Sequence, residues 1–226
     1  MTSQQVLLIG ATGSLGRQLI RAASSSSGVT LHAFCRTPSK LSASDASSCA
    51  SIVRGDARSS SDVRRALVST KASVAIMCIG EGTSTAPTDV REATAKALMD
   101  VIEPGQDLDH VKVMVVSSTG AGGTKIDIGF GIGMVVAYVL RHVMKDHTEQ
   151  ERVFKQRIGD KSRMLIVRPT GLTDGKATGH TTTFEKHSKP PTVHIDREDL
   201  AKFMVGEINR GAKAYGKEIS VTGVKK

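Results

Sequence analysis

The apolar run Val6-Leu7-Leu8-Ile9 passes directly into "GATGSLGRQL", which places Gly10, Gly13 and Gly16 three residues apart. A buried strand that becomes a helix through three evenly spaced glycines restricts the fold more than any other feature of this chain. Gly10 permits a tight turn, Gly13 permits an anion to approach the backbone, and Gly16 permits the helix to lie close. The helix opening there has unpaired N–H groups and a partial positive charge, which together suit a diphosphate. Thr12 and Ser14 add hydroxyl donors at the turn, and Leu15 begins an apolar helix face shared with Leu19 and Ala22.

Beyond the turn, strand and helix patterns alternate. Strands are expected at 5–10, 29–35, 51–56, 73–80, 111–118 and 163–169. Helices are expected at 15–23, 61–69 with Ser61 as N-cap, 89–102 and 133–157. The run at 73–80 is continuously apolar, as a central parallel strand buried on both faces requires. After Pro169 the regularity loosens into a Gly/Thr/Pro-rich loop at 170–191, long enough to cover a binding site. A short strand at 192–195, a helix at 196–211 and a strand at 217–223 close the pattern. The Ser-rich patch at 39–51 reads as a surface loop or short irregular helix. Alternation of this kind implies an α/β fold, a Rossmann-type doubly wound parallel sheet, in a single domain spanning 1–226. Segments 120–145 and 172–195 are expected on the substrate side, the latter as a small C-terminal region.

The 226 residues carry a formal charge of +9, which favours anionic partners. The Lys and Arg residues are dispersed, however, and no stacking-aromatic or helix-turn-helix pattern accompanies them, so nucleic-acid binding is excluded. Cys35, Cys49 and Cys78 are odd in number and lack metal-ligand spacing, which fits free thiols and no metal site. With no secretory pattern visible, a cytoplasmic location is expected. The stretch at 126–140 is apolar but shorter than the ~20 residues of a membrane span. It carries Asp127 and three glycines, and reads as a buried or pocket-lining segment.

The G-x-x-G-x-x-G spacing resembles that of the short-chain dehydrogenase/reductase superfamily in its extended and atypical branches. The NmrA-like and biliverdin/flavin reductase-like NAD(P)H-binding proteins are the most similar group. "LLIGATGSLGRQL", "FCRTPSKL", "VRGDARSSSDVRRAL", "VAIMCIG", "VMVVSSTGA", "LIVRPTGLTDG" and "HIDREDLAKFMV" follow the order of that group's segments across nearly the whole chain. The second strand ends without an acid to grip a ribose 2′-hydroxyl. It is followed instead by Arg36, twenty residues after Gly16, and by Lys40. A guanidinium clasps a 2′-phosphate with two charge-assisted bonds. At about 1.5–3 kcal/mol for such a bond, Arg36 favours NADP(H) by on the order of 10- to 100-fold. The resemblance further implies that Asp56 and Ala57 lie at the adenine and that Cys78, Ile79 and Gly80 run beside its ribose. Cys78 then reads as a packing residue rather than a nucleophile. Ser117 would belong to the same cofactor surface, and Pro169, Thr170 and Leu172 would lie under the nicotinamide.

In the superfamily, a Ser or Thr acts with a Tyr-x-x-x-Lys pair, whose four-residue spacing puts both side chains on one helix face. Here Ser117, Ser118 and Thr119 supply the hydroxyls, with Ser118 and Thr119 as candidates to orient an acceptor. The dyad is absent: Tyr138 is followed four residues later by His142. Lys145 with Glu149 gives one alternative register and His147 with Glu151 another, and His147 alone suits proton donation near neutral pH. A substrate protonated by water would need none of them. The reading is an NADPH-dependent reductase of a hydrophobic or aromatic carbonyl or conjugated acceptor, working as a monomer or homodimer on a small-molecule substrate. Alternatives are a catalytically silent NADP(H) sensor of NmrA type and a non-redox isomerase or cyclase.

Overall fold

A computed structural model describes residues 3–82, 84–125 and 132–224. β1 (Gln4–Ile9) turns through the glycines into α1 (Ser14–Ser24), which returns to β2 (Val29–Cys35). The Ser-rich patch forms a 3-10 turn at Pro38–Lys40 and α2 (Ala43–Ser47) before β3 (Ser51–Arg54). α3 (Ser60–Thr70), β4 (Val74–Met77), α4 (Val90–Ile102) and β5 (Lys112–Val116) follow in the expected alternation. The cap of α3 is Ser59, not Ser61: its Oγ accepts from the Asp62 amide, three residues ahead, while Ser61 already lies in the first turn.

The expected single helix at 133–157 is two, α5 (Ile132–Val139) and α6 (Arg141–Arg157), broken at Leu140. Arg141 Nη1 donates to the Tyr138 carbonyl at 2.8 Å, satisfying an acceptor of the last turn of α5 and ending it there. β6 (Met164–Pro169) leads into the Gly/Thr-rich stretch, which is not loop throughout. It holds β7 (Gly171–Thr173) and β8 (Thr181–Phe184), then come β9 (His194–Asp196), α7 (Arg197–Asn209) and β10 (Lys217–Gly223).

The main sheet has the order β3-β2-β1-β4-β5-β6-β10-β8, and every pairing is parallel except β10 with β8. Its first six strands reproduce the doubly wound nucleotide-binding order, whose reversal point lies between β1 and β4. The side chains of β1 alternate between two cores, as a pleated strand requires. Val6 and Leu8 enter a core covered by α1 and α7; Leu7 and Ile9 enter one covered by α3, α4 and α6. β7 and β9 form a separate parallel pair, Leu172 opposite Ile195, from which the chain runs through residues 174–180 to β8. That stretch is fastened by Asp199 of α7. Its buried carboxylate accepts from the Thr178 amide at 2.7 Å, the Thr178 hydroxyl at 2.9 Å and the Gly179 amide at 2.8 Å.

No helix among the described residues is long and apolar enough to cross a membrane. Of the 126–140 stretch, residues 126–131 lie outside the described residues. In the remainder, Met134, Val135, Tyr138 and Val139 of α5 are all exposed, so the first of the two expectations, a buried segment, does not hold there.

Candidate functional site

Gly10 has φ +99°, a region closed to most side chains, and a Cβ there would stand 2.7 Å from the Cys78 carbonyl oxygen. The turn therefore lies directly on the end of β4. A Cβ on Gly16 would fall inside van der Waals contact of the Gly10 carbonyl oxygen and 2.9 Å from Ala11 Cα. Gly16 thus seats the helix against the turn itself. Gly13 is different. It caps α1 with φ −74° and ψ 163°, and a Cβ there would meet only the Gly10 carbonyl, at an ordinary 3.4 Å. The space above Gly13 is open, no side chain caps α1, and no acid stands in its first turn. The amides at the start of α1 are left for an external anion.

At the end of β2, Arg36 and Lys40 are exposed, and neither has a carboxylate within ion-pair distance among the described residues. Arg17, which sequence reasoning passed over, belongs to the same corner: its Nη2 donates to the Lys40 carbonyl at 2.8 Å and ties the β2 loop to α1. Three cations thus flank the glycine turn. Asp56 is exposed and accepts from the Arg58 amide at 3.0 Å, and Ala57 beside it is buried. Cys78 packs its thiol 3.5 Å from the Ile9 carbonyl oxygen, and burial pushes that thiol up to about 12, so it is inert at neutral pH. The Arg91 guanidinium lies against Gly80, where a Cβ would stand 2.6 Å from its Nη2. Diphosphate cradle, basic corner and the open ends of β1 and β4 fit a dinucleotide bearing an additional phosphate.

The three hydroxyls after β5 take different partners. Ser117 is buried and donates to Glu151 Oε1 at 2.7 Å. Thr119 sends both its amide and its hydroxyl to the Pro169 carbonyl, at 3.0 and 3.2 Å. Ser118 is half-buried and donates only to the carbonyl of its own neighbour Thr119, at 3.1 Å. The amide of Thr170 is taken by Val221 and its hydroxyl lies 2.8 Å from that of Thr222, while Leu172 is half-buried in β7. The Pro169 carbonyl, spent on Thr119, and the Thr170 amide, spent on Val221, are thus already engaged within the fold.

Below this loop lies a buried ionic cluster that the sequence reading did not assemble. Arg168 and Glu151 are each 1% exposed and joined by two bonds, at 2.7 and 2.5 Å. Arg168 also reaches Glu218 at 2.6 Å, and Lys155 bridges Glu151 and Glu218 at 3.0 and 2.9 Å. Burial alone would raise the Glu151 carboxyl, but Arg168, Ser117 and Lys155 outweigh it and hold the group below the usual carboxylate range. Gly122, at φ +58°, rides over this pair, and a Cβ there would stand 2.8 Å from Arg168 Nη2. The one signal in the sequence was an arginine inside the apolar strand "MLIVRP", which needs a carboxylate partner to be buried.

The dyad candidates are dispersed. Tyr138 is exposed on α5 with the Arg141 guanidinium 4.3 Å over its ring. Lys145 is exposed, and Glu149, its partner in that register, bonds Arg152 instead at 2.6 Å. His147 is buried, with Nδ1 3.2 Å from Gln150 Oε1. Burial and the nearby Arg91 charge lower its pKa to about 3, against the weak opposing effect of Gln150. The expected role as a donor titrating near neutrality is corrected on that ground: the imidazole is neutral at pH 7. A groove of about 820 Å³ between α1 and α7, lined by Arg21, Ser26 and Lys202, lies at the far end of α1 from the glycine turn.

The fold is shared with solved structures at low sequence identity. A protein of Bacillus halodurans assigned to the NAD-dependent epimerases/dehydratases superposes with a TM-score of 0.74 at 21% identity, covering 99% of this chain and 96% of that one. An anaerobilin reductase of Escherichia coli O157:H7 gives 0.73 at 19%, covering 98% of each chain. A short-chain dehydrogenase/reductase of Veillonella parvula in complex with NADP gives 0.72 at 12%, covering 98% and 95%. No curated protein matches the sequence. The family described as NAD(P)H-binding matches residues 10–210, nearly the whole doubly wound unit with its glycine turn, and the chain belongs to that family.

Proposed function

We propose that the protein is an NADPH-dependent reductase of a hydrophobic or aromatic small molecule with a carbonyl or conjugated acceptor. The observation that carries this reading is the pairing of an open glycine cradle with a half-buried hydroxyl whose one bond is to its neighbour's carbonyl. Two of the three hydroxyls after β5 brace the loop, and Ser118 alone bonds only within it. The first-turn amides of α1 receive the diphosphate and Arg36 and Lys40 the 2′-phosphate. Asp56, Ala57 and the backbone after β4 line the adenosine side. When bound, the nicotinamide supplies the hydride. Ser118 orients the acceptor oxygen by donating its proton in a hydrogen bond. Of the expected substrate-side segments, the loop up to Lys125 and residues 172–195 form that side, the latter held by Asp199. NADPH oxidation against quinones, flavins, biliverdin and a panel of ketones tests the reading. Ser118→Ala is expected to lower kcat about 100-fold with the accepted substrate while leaving NADPH affinity unchanged.

A second reading, a silent NADP(H) sensor, is favoured by the placement of the dyad candidates. Tyr138 and Lys145 are exposed and His147 is buried and neutral at pH 7, so the three are not assembled into a pair of the superfamily's kind. A sensor needs different affinities of two protein states for the oxidised and reduced forms. Tight NADPH binding without turnover on any acceptor selects it.

A further inference from the structure

Four of the seven large apolar side chains exposed among the described residues stand on one eight-residue helix: Met134 at 76%, Val135 at 64%, Tyr138 at 68% and Val139 at 48%. At 100° per residue these four occupy a single arc of about 140°, while Val136 and Leu140, both half-buried, fall on the opposite side. The helix therefore has an apolar outer face, and its inner side rests on α6. A patch of this kind on an otherwise charged surface marks an interaction site.

Cations follow it in the chain and stand on the loop packed against α6. Arg141 follows α5 directly and lies 4.3 Å over the Tyr138 ring, and Lys145 is exposed one turn further on. The next turn holds Thr148, whose hydroxyl accepts from the Gly122 amide at 3.2 Å and so brings the 117–125 loop alongside. That loop ends in exposed Lys125, and Lys186 Nζ stands 3.9 Å from where a Cβ on Gly123 would be. None of Lys125, Arg141, Lys145 and Lys186 has a carboxylate within ion-pair distance among the described residues. In the sequence, Asp127 is the one acid between Lys125 and Lys145.

We propose that α5 is a peripheral docking element for an anionic lipid bilayer, its outer face in the headgroup boundary and the flanking cations on the lipid phosphates. At about 12 Å the helix is far too short to span, but it suits lying in the interface. A tyrosine within the apolar arc, stacked by an arginine, is an interfacial arrangement, with an apolar body and a charged head in water. The same cations argue against a second copy: a two-fold contact between identical patches would bring like charges together on a chain of net +9. Docking does not depend on the proposed reductase activity.

Flotation with vesicles of phosphatidylcholine plus phosphatidylserine, and with phosphatidylcholine alone, tests the proposal on the full chain. The protein is expected to float with the anionic vesicles, to stay behind with the neutral ones, and to be released by salt. Combined Met134→Ser and Val139→Ser, both at exposed positions, is expected to weaken binding at least about tenfold. Lys125→Gln with Lys186→Gln is expected to weaken it about fivefold per charge removed. Absence of binding to anionic vesicles, equal binding to both kinds, or binding unaffected by either pair overturns the proposal. So does light scattering that shows a dimer converted to monomer by the apolar pair, which would assign the face to a second copy.

Discussion

Arg36 stands on an exposed corner with Lys40, Arg17 holds the loop, and neither Arg36 nor Lys40 has a carboxylate within ion-pair distance among the described residues. A 2′-phosphate entering there gains charge-assisted bonds that a 2′-hydroxyl does not. Arg36→Ala is therefore expected to erase a preference for NADPH over NADH of about 10- to 100-fold, measured by titrating both reduced cofactors. An unchanged ratio would place the discriminating group elsewhere. His147 behaves in the opposite manner, because it is buried and its pKa is lowered from 6.5 to about 3. In the unfolded chain the imidazole takes a proton as pH falls below 6.5; in the folded chain it does not until about 3. Stability is thus lost progressively across that window, and none of the loss arises above it. His147→Gln is expected to flatten this part of the pH dependence in urea melts. It should also leave the pH profile of any turnover around neutrality unchanged, whereas a kinetic limb that vanished with His147 would return the imidazole to the proton path.

At the scale of elements, the β5 loop, β6, α6 and β10 meet at one ionic cluster, and the cost of breaking it is asymmetric. Arg168→Met leaves Glu151 buried with only Lys155 and Ser117, and a loss of about 3–5 kcal/mol is expected in denaturant melts. The Glu151 and Glu218 carboxyls are held below their usual range. Their stabilisation is fully present above the unfolded carboxylate pKa of about 4.3 and is lost as pH falls through the folded values. The gap between wild type and Arg168→Met should accordingly narrow in acid. This cluster also marks where sequence reasoning stopped. β1, β4, β5 and β6 were legible because each contains a continuous apolar run between turn residues, and the glycine cradle because its spacing is local. Arg168 finds its partners 17 and 50 residues away in the chain, which no spacing reveals. The break at Leu140 depends on a side chain, Arg141, reaching back to a carbonyl. β8 escaped notice because "TTTF" lies between breakers and becomes a strand only by pairing with β10. The proximity of Ser59 to Asp62, rather than the serine nearest the apolar run, decided the α3 cap.

For the whole molecule, the two cores share β1, so a ligand held at the end of that strand is linked to the unfolding of the entire sheet. A ligand that binds only the folded state at about 100 times its Kd adds about 2.7 kcal/mol. In a chain of this size, each kcal/mol raises the Tm by about 2–4 °C, so saturating NADPH is expected to shift melting upward by about 5–10 °C. Gly13 and Gly16 separate the cradle from the fold in this measurement. Gly16→Ala places a methyl group against the turn backbone and should destabilise the protein with or without ligand. At Gly13 the backbone conformation is open to any residue, and a side chain would project into free space. Gly13→Val should therefore cost the free protein no more than about 1 kcal/mol, as a poorer N-cap, and lose the NADPH shift, because its methyl groups stand where the diphosphate approaches the amides. A Gly13→Val protein that kept the full shift would mean that NADPH is held somewhere other than the start of α1. A wild-type shift much larger for one redox form than the other would instead supply the differential affinity that a sensor requires.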